Sequence, residues 1–151
     1  MGPVIGFDGL VEPLEWGRST YTVLRVPPEL VSAARDRGTR RVAGTIEGGR
    51  VNLALTTAPV IDDHFVWFGR TLQRRLGVAV GEPVRAELGP VDPDVVELPD
   101  DVASALAEAG CRPAWDDLPA GRRRSLLYRV ESAGTERTRR SRIAELVVEV
   151  G

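Results

Sequence analysis

An internal repeat constrains this chain more than any other feature. Shifted by 42 residues, the first ninety residues fall into register on themselves without a gap: Val23 meets Phe65, Val26 meets Phe68, Leu30 meets Leu72, Ala34 meets Leu76, Val42 meets Val84 and Ile46 meets Leu88. Each half reads as strand, short helix, strand. The opening strands, 21–26 and 64–68, are rich in the β-branched and aromatic residues that fit a pleated, half-buried surface. Pro27 and Gly69 then interrupt the pairing, one by lacking a donor and the other by relaxing the backbone. Leu30, Val31 and Ala34, and in the second half Leu72 and Leu76, recur at helical spacing. Two such units must share one core, so the matched apolar positions are expected to be buried.

Turn chemistry fits the same plan. Gly48-Gly49 separates "RVAGTIE" from "RVNLAL" at the spacing of a tight hairpin, which needs positive φ. Gly77 follows "QRRL" as a left-handed helix terminator, and Gly81 marks the turn into the next strand. The unit "FGRTLQRRLGVAVGEPVRAEL" resembles the swapped-hairpin unit of the AbrB/MazE-like double-split β-barrels, with Gly81-Glu82 at the position of their "GD"-like turn. In that superfamily two chains build one barrel. Two units in one chain would build a pseudo-twofold barrel alone, so the fold expected here is mainly β with α.

"GPVDPDVVELPD" carries three prolines and shifts the composition, which divides the chain into a barrel domain, 1–93, and a helical segment, 94–151. About three helices are expected in that segment. Asp100 is placed to cap "DVASALAEAG", Gly110 to end it, and Ile143, Leu146, Val147 and Val150 share one face of the last helix. Trp115 and Tyr128 are expected to pack inside. With "VPPEL" and "GTIEG" in the barrel and "LPAGRRRSLLYRVESA" and "TRRSRI" in the tail, the chain is similar to a bacterial family in which such a barrel precedes a YdeI/OmpD-associated helical segment. The resemblance implies a fold and, for the helical segment, an association with protection against bacteriocins or antimicrobial peptides, with no chemistry attached.

Charge narrows the function classes. Every one of the 20 basic residues is arginine, which removes Schiff-base lysines and a Walker lysine. Residues 1–93 carry 11 Arg and 11 acids, whereas a DNA-binding barrel calls for a basic face, so nucleic acid is possible as a partner but not favoured. Residues 112–142 hold nine Arg against four acids. Within that run Arg124, Arg139 and Arg142 are candidates for binding an anion or a partner, Arg139 and Arg142 lying one turn apart on a helix face. The competing reading is a solvated or ion-paired face.

Other chemistry finds little support. Asp62, Asp63 and His64 are consecutive, and with no second histidine they do not make a usual zinc set, so no metal is expected. No nucleophile elbow, dinucleotide fingerprint or phosphate loop is present, which points away from an enzyme, and no cofactor is expected. Cys111 reads as a packing residue. Trp67 stands opposite Arg25 in the repeat, which suggests that both face outward and that Trp67 marks a binding surface. No apolar run nears the roughly 20 residues of a bilayer span, and the N-terminus lacks the order of a signal peptide. The expectation is a cytoplasmic binding module, monomeric or weakly self-associating. Its partner would be a small molecule, a peptide or a protein; a DNA-binding regulator is the first alternative and an enzyme with an unrecognised site the second.

Overall fold

Strand β1 (Ile5–Trp16) is twelve residues long and serves two neighbours in turn. Residues 5–10 pair with β7 (Pro83–Pro90), and residues 11–16 pair with β2 (Ser19–Arg25) across a tight turn at Gly17. The computed structural model describes residues 2–151, in two compact units that meet in sequence between Pro93 and Asp94. In the first unit β2 also pairs with β6 (Ile61–Trp67), Leu24 standing opposite Val66. Strand β3 (Arg41–Ile46) lies between β7 and β4 (Gly49–Ala54), with Thr45 opposite Glu87, and the short β5 (Thr56–Ala58) borders β6. The result is seven antiparallel strands in the order β4-β3-β7-β1-β2-β6-β5, so this unit is mainly β. Both strands of the first repeat, β2 and β3, find their partners within the chain.

Helices α1 (Pro28–Asp36) and α2 (Arg70–Leu76) follow β2 and β6, and each is closed by a glycine in the left-handed region, Gly38 and Gly77. At Gly77 the amide of Val78 reaches back to the Gln73 carbonyl, which satisfies an orphan acceptor of the last turn. The matched positions Val23, Val26, Ile46, Phe65, Phe68, Val84 and Leu88 are all buried. Leu72 and Leu76 are only partly buried against the same core, because α2 is short. Each fully buried side chain of this size contributes about 1.5–3 kcal/mol.

Four local expectations need correction. The β3–β4 hairpin turns on Glu47-Gly48, one residue before the glycine pair. Glu47 takes φ +48, unusual for a residue with a side chain, and is held there because its carboxylate accepts the Arg85 amide at 2.7 Å while its own amide donates to the Arg85 carbonyl. The second unit contains four helices rather than about three: α3 (Asp100–Glu108), the short α4 (Arg112–Asp116), α5 (Ala120–Glu131) and α6 (Glu136–Val150). Asp100 does not cap α3, which begins at that residue after Pro99; its charge and that of Asp101 instead meet the positive end of the helix. Trp115 lies in the core of this unit with Leu106, Leu127 and Val130, but Tyr128 is 64% exposed. Helix α5 turns Leu126, Leu127 and Val130 inward and leaves Tyr128 outside. Cys111 is buried, its thiol 3.7 Å from the Leu106 carbonyl.

Candidate functional site

The tail arginines are largely committed to their own unit. Arg139 forks onto Asp101 of α3, at 2.7 and 2.9 Å, and its remaining nitrogen reaches Glu131 of α5 at 3.2 Å. Arg142 donates to the Arg129 carbonyl and to Ser132 Oγ, closing the carbonyl end of α5. Arg124 is half-buried on α5. Arg129 pairs with Glu145 and Arg122 with Glu149. Most of these acids lie outside residues 112–142, and residues 94–151 as a whole carry 9 Arg against 11 acids, so the basic run is balanced within its own unit.

Arg139 is only 20% exposed, and its hydrogen bond to Asp101 holds that carboxyl below its ordinary range; burial opposes this, and the charge attraction of Arg139 adds to the lowering as a lesser cause. A carboxylate with a depressed folded pKa stabilises the protein above its unfolded value of about 3.9, and that contribution is lost as pH falls through the folded value. Arg139→Ala is therefore expected to cost about 1–2 kcal/mol near neutrality, or roughly 2–8 °C in melting temperature. The deficit relative to the unsubstituted protein should begin to shrink below about pH 4 and close as pH falls through the depressed folded value, where Asp101 protonates in the unsubstituted protein as well. Thermal melts at neutral and acidic pH check both statements.

The residues around Trp67 form a different kind of surface. In β1, β2 and β6 the pairing puts Glu12 beside Val23, Val23 beside Trp67 and Arg25 beside Phe65, all on one face. On this face Leu14, Val23, Ala58 and Phe65 make a small buried cluster separate from the main core. Four rings run over it: Trp16 to Tyr21 at 6.3 Å, Tyr21 to Trp67 at 5.3 Å, and Trp67 edge-on to Phe65 at 5.0 Å. Phe65 is buried, while Trp16, Tyr21 and Trp67 are each more than a third exposed. Beyond the rings, Arg25 bridges Glu12 at 2.6 Å and Asp63 at 3.1 Å, and both contacts raise its pKa. The triad carries one negative charge in excess.

The structure thus places Arg25 and Trp67 on one face of one sheet, and Arg124, Arg139 and Arg142 on the helices of the other unit. Trp16 and Tyr21 join the aromatic run without having stood out in the sequence. The tight turn at Gly17 was the available signal, because it folds Trp16 back opposite Ser19, one strand pleat from Tyr21. Asp63 and His64 are consecutive strand residues and so point to opposite faces. Among the described residues no group of three or more His, Cys, Asp or Glu side chains converges. No described helix is long and apolar enough to cross a membrane.

No curated protein and no solved structure matches this chain. The helical unit does find a counterpart: residues 95–150 match the model of the family described as OmdA, bacteriocin-protection, YdeI or OmpD-associated.

Proposed function

We propose that this chain is a non-enzymatic binding module of an antimicrobial-protection type, and that its partner is a basic, amphipathic peptide segment docking on the outer face of β1, β2 and β6. The observation that carries this reading is the run of half-exposed rings beside a charge triad with one acid in excess. Tryptophan offers the strongest ring face to a cation, and rings already packed against each other lose little freedom on binding. The formal charge of −2 favours approach of a basic partner. The match of the helical unit to a protection family supports the same direction. Cys111, free and buried, accords with a reducing compartment such as the cytoplasm. Nucleic acid has less support, since neither unit carries an excess of arginine over acids.

Titration with a basic amphipathic peptide, followed by tryptophan fluorescence, tests the reading. Trp67→Ala is expected to weaken binding about tenfold or more, as loss of a central aromatic anchor does. An acidic peptide of equal apolar content should not bind. Unchanged affinity in the Trp67 variant would remove the aromatic face from consideration.

The face owes its shape to a proposed pseudo-twofold, double-split barrel. In support, β2 and β6, α1 and α2, and β3 and β7 each begin 42 residues apart. Leu24 and Val66, and Thr45 and Glu87, are also 42 residues apart, and each pair stands face to face in its ladder. The pair Trp16–Ser19 has its counterpart in Ala58–Ile61. One departure has a simple cause: the counterpart of Ile5–Leu88 would be Glu47–Ile46, which are neighbours in the chain, so the hairpin moves on to pair Ile46 with Gly49. On this reading β1 on one side, and β4 with β5 on the other, pass between two four-stranded groups and close the ring.

A further inference from the structure

A cleft of about 590 Å³ opens between the end of α1 and strands β5 and β6, a volume suited to a small ligand. Val31, over the buried Ala34 and Leu55, supplies apolar wall, Thr57 a hydroxyl, and Arg35, Arg40 and His64 line the rest. No lining residue is acidic. Most arginines of the helical unit are tied to carboxylates or carbonyls, as are Arg25 and Arg75 in the first unit. Arg35 and Arg40 stand exposed with no side-chain hydrogen bond or ion pair among the described residues, and neither does His64 have one.

We infer that this cleft is a binding site for a small organic anion, a carboxylate or phosphate carried on a compact apolar body. Two guanidinium groups provide forked donors that match either oxyanion, and the imidazole and Thr57 hydroxyl add single donors. The carbonyl end of α1 works against an anion, but it amounts to about half an elementary charge, against two full positive charges. Its last carbonyls are moreover occupied, since the amides of Arg37, Gly38 and Thr39 donate to Ala34 and Arg35. The repeat gives independent reason to see the cleft as specific to one half: the counterparts of Arg35, Arg40 and His64 are Gly77, Glu82 and Thr22, so the second half lacks its cations. Val31, only partly buried, leaves apolar surface at the cleft that an organic group covers and a bare inorganic anion does not. This site is separate from the aromatic face, and its fate does not depend on that proposal.

Binding of phenyl phosphate, benzoate, inorganic phosphate and benzyl alcohol, followed by amide chemical shifts, is the test. Phenyl phosphate or benzoate should saturate and shift the amides of residues 34–40, 55–57 and 64, and the tighter of the two identifies the head group. Benzyl alcohol and inorganic phosphate should bind more weakly than that probe. Arg35→Ala and Arg40→Ala should each weaken it about tenfold. Both variants should melt within about a degree or two of the unsubstituted protein, since neither side chain is paired. No saturable binding of either organic anion, benzyl alcohol binding as tightly as both, or full affinity in the Arg35 and Arg40 double variant would each overturn the assignment.

Discussion

Gly44→Ala is expected to destabilise the first unit by about 3–5 kcal/mol, lowering its melting temperature by roughly 10 °C or more. Gly44 sits inside β3 opposite Leu88, at φ +150, a conformation that side chains rarely adopt. A methyl group there would be driven into the Glu87 carbonyl oxygen, with the Glu87 carbonyl carbon at 3.0 Å and the Leu88 Cα at 3.2 Å. All three are backbone atoms of the neighbouring strand, so relief requires β3 and β7 to part. Their pairing joins the two halves of the repeat, and Val42, Ile46, Ala86 and Leu88 would lose packing together. A thermal melt within about two degrees of the unsubstituted protein would contradict the close approach.

Trp115→Ala should cost the helical unit about 3–5 kcal/mol, the usual range for deleting a fully buried aromatic. Trp115 is 2% exposed and stands on α4, a helix of five residues. A single turn of helix does not hold itself in water. The burial of Trp115 among Leu106, Leu127, Val130 and Ile143 is what fixes it, so its loss should release α4 as well as leave a cavity. Trp115→Phe, which refills part of the space, should recover a substantial share. Helical circular dichroism during a thermal melt reads both, and equal stability of the alanine variant would mean that the indole is not central to that core.

The repeat made much of the first unit legible, because its apolar positions report one shared core in both halves. It placed β2, β3, β6 and β7 and the glycine stop at Gly77. What escaped was set by contacts between distant segments. Glu47 occupies a left-handed turn position because Arg85, 38 residues away, bonds its carboxylate. The need for glycine at position 44 comes from the close approach of β7, a strand about 40 residues away in sequence. The tail arginines read as a basic cluster because Asp101, Glu145 and Glu149 fall outside the run yet meet it in the fold. Tyr128 was assigned to the core by residue type, although α5 turns its apolar stripe the other way. On the candidate surface, the outward setting of Arg25 and Trp67 followed from the repeat. The ring contacts with Trp16 and Tyr21, and the Glu12–Arg25–Asp63 triad, needed the strand order that only the pairing reveals.

The most direct test of the aromatic face as the partner surface is amide hydrogen exchange of the whole chain with and without a saturating basic amphipathic peptide. Slowed exchange is expected in residues 12–25 and 61–67, the segments that carry Trp16, Tyr21, Arg25 and Trp67. Slowing confined to residues 94–151, with those strands unchanged, would contradict it.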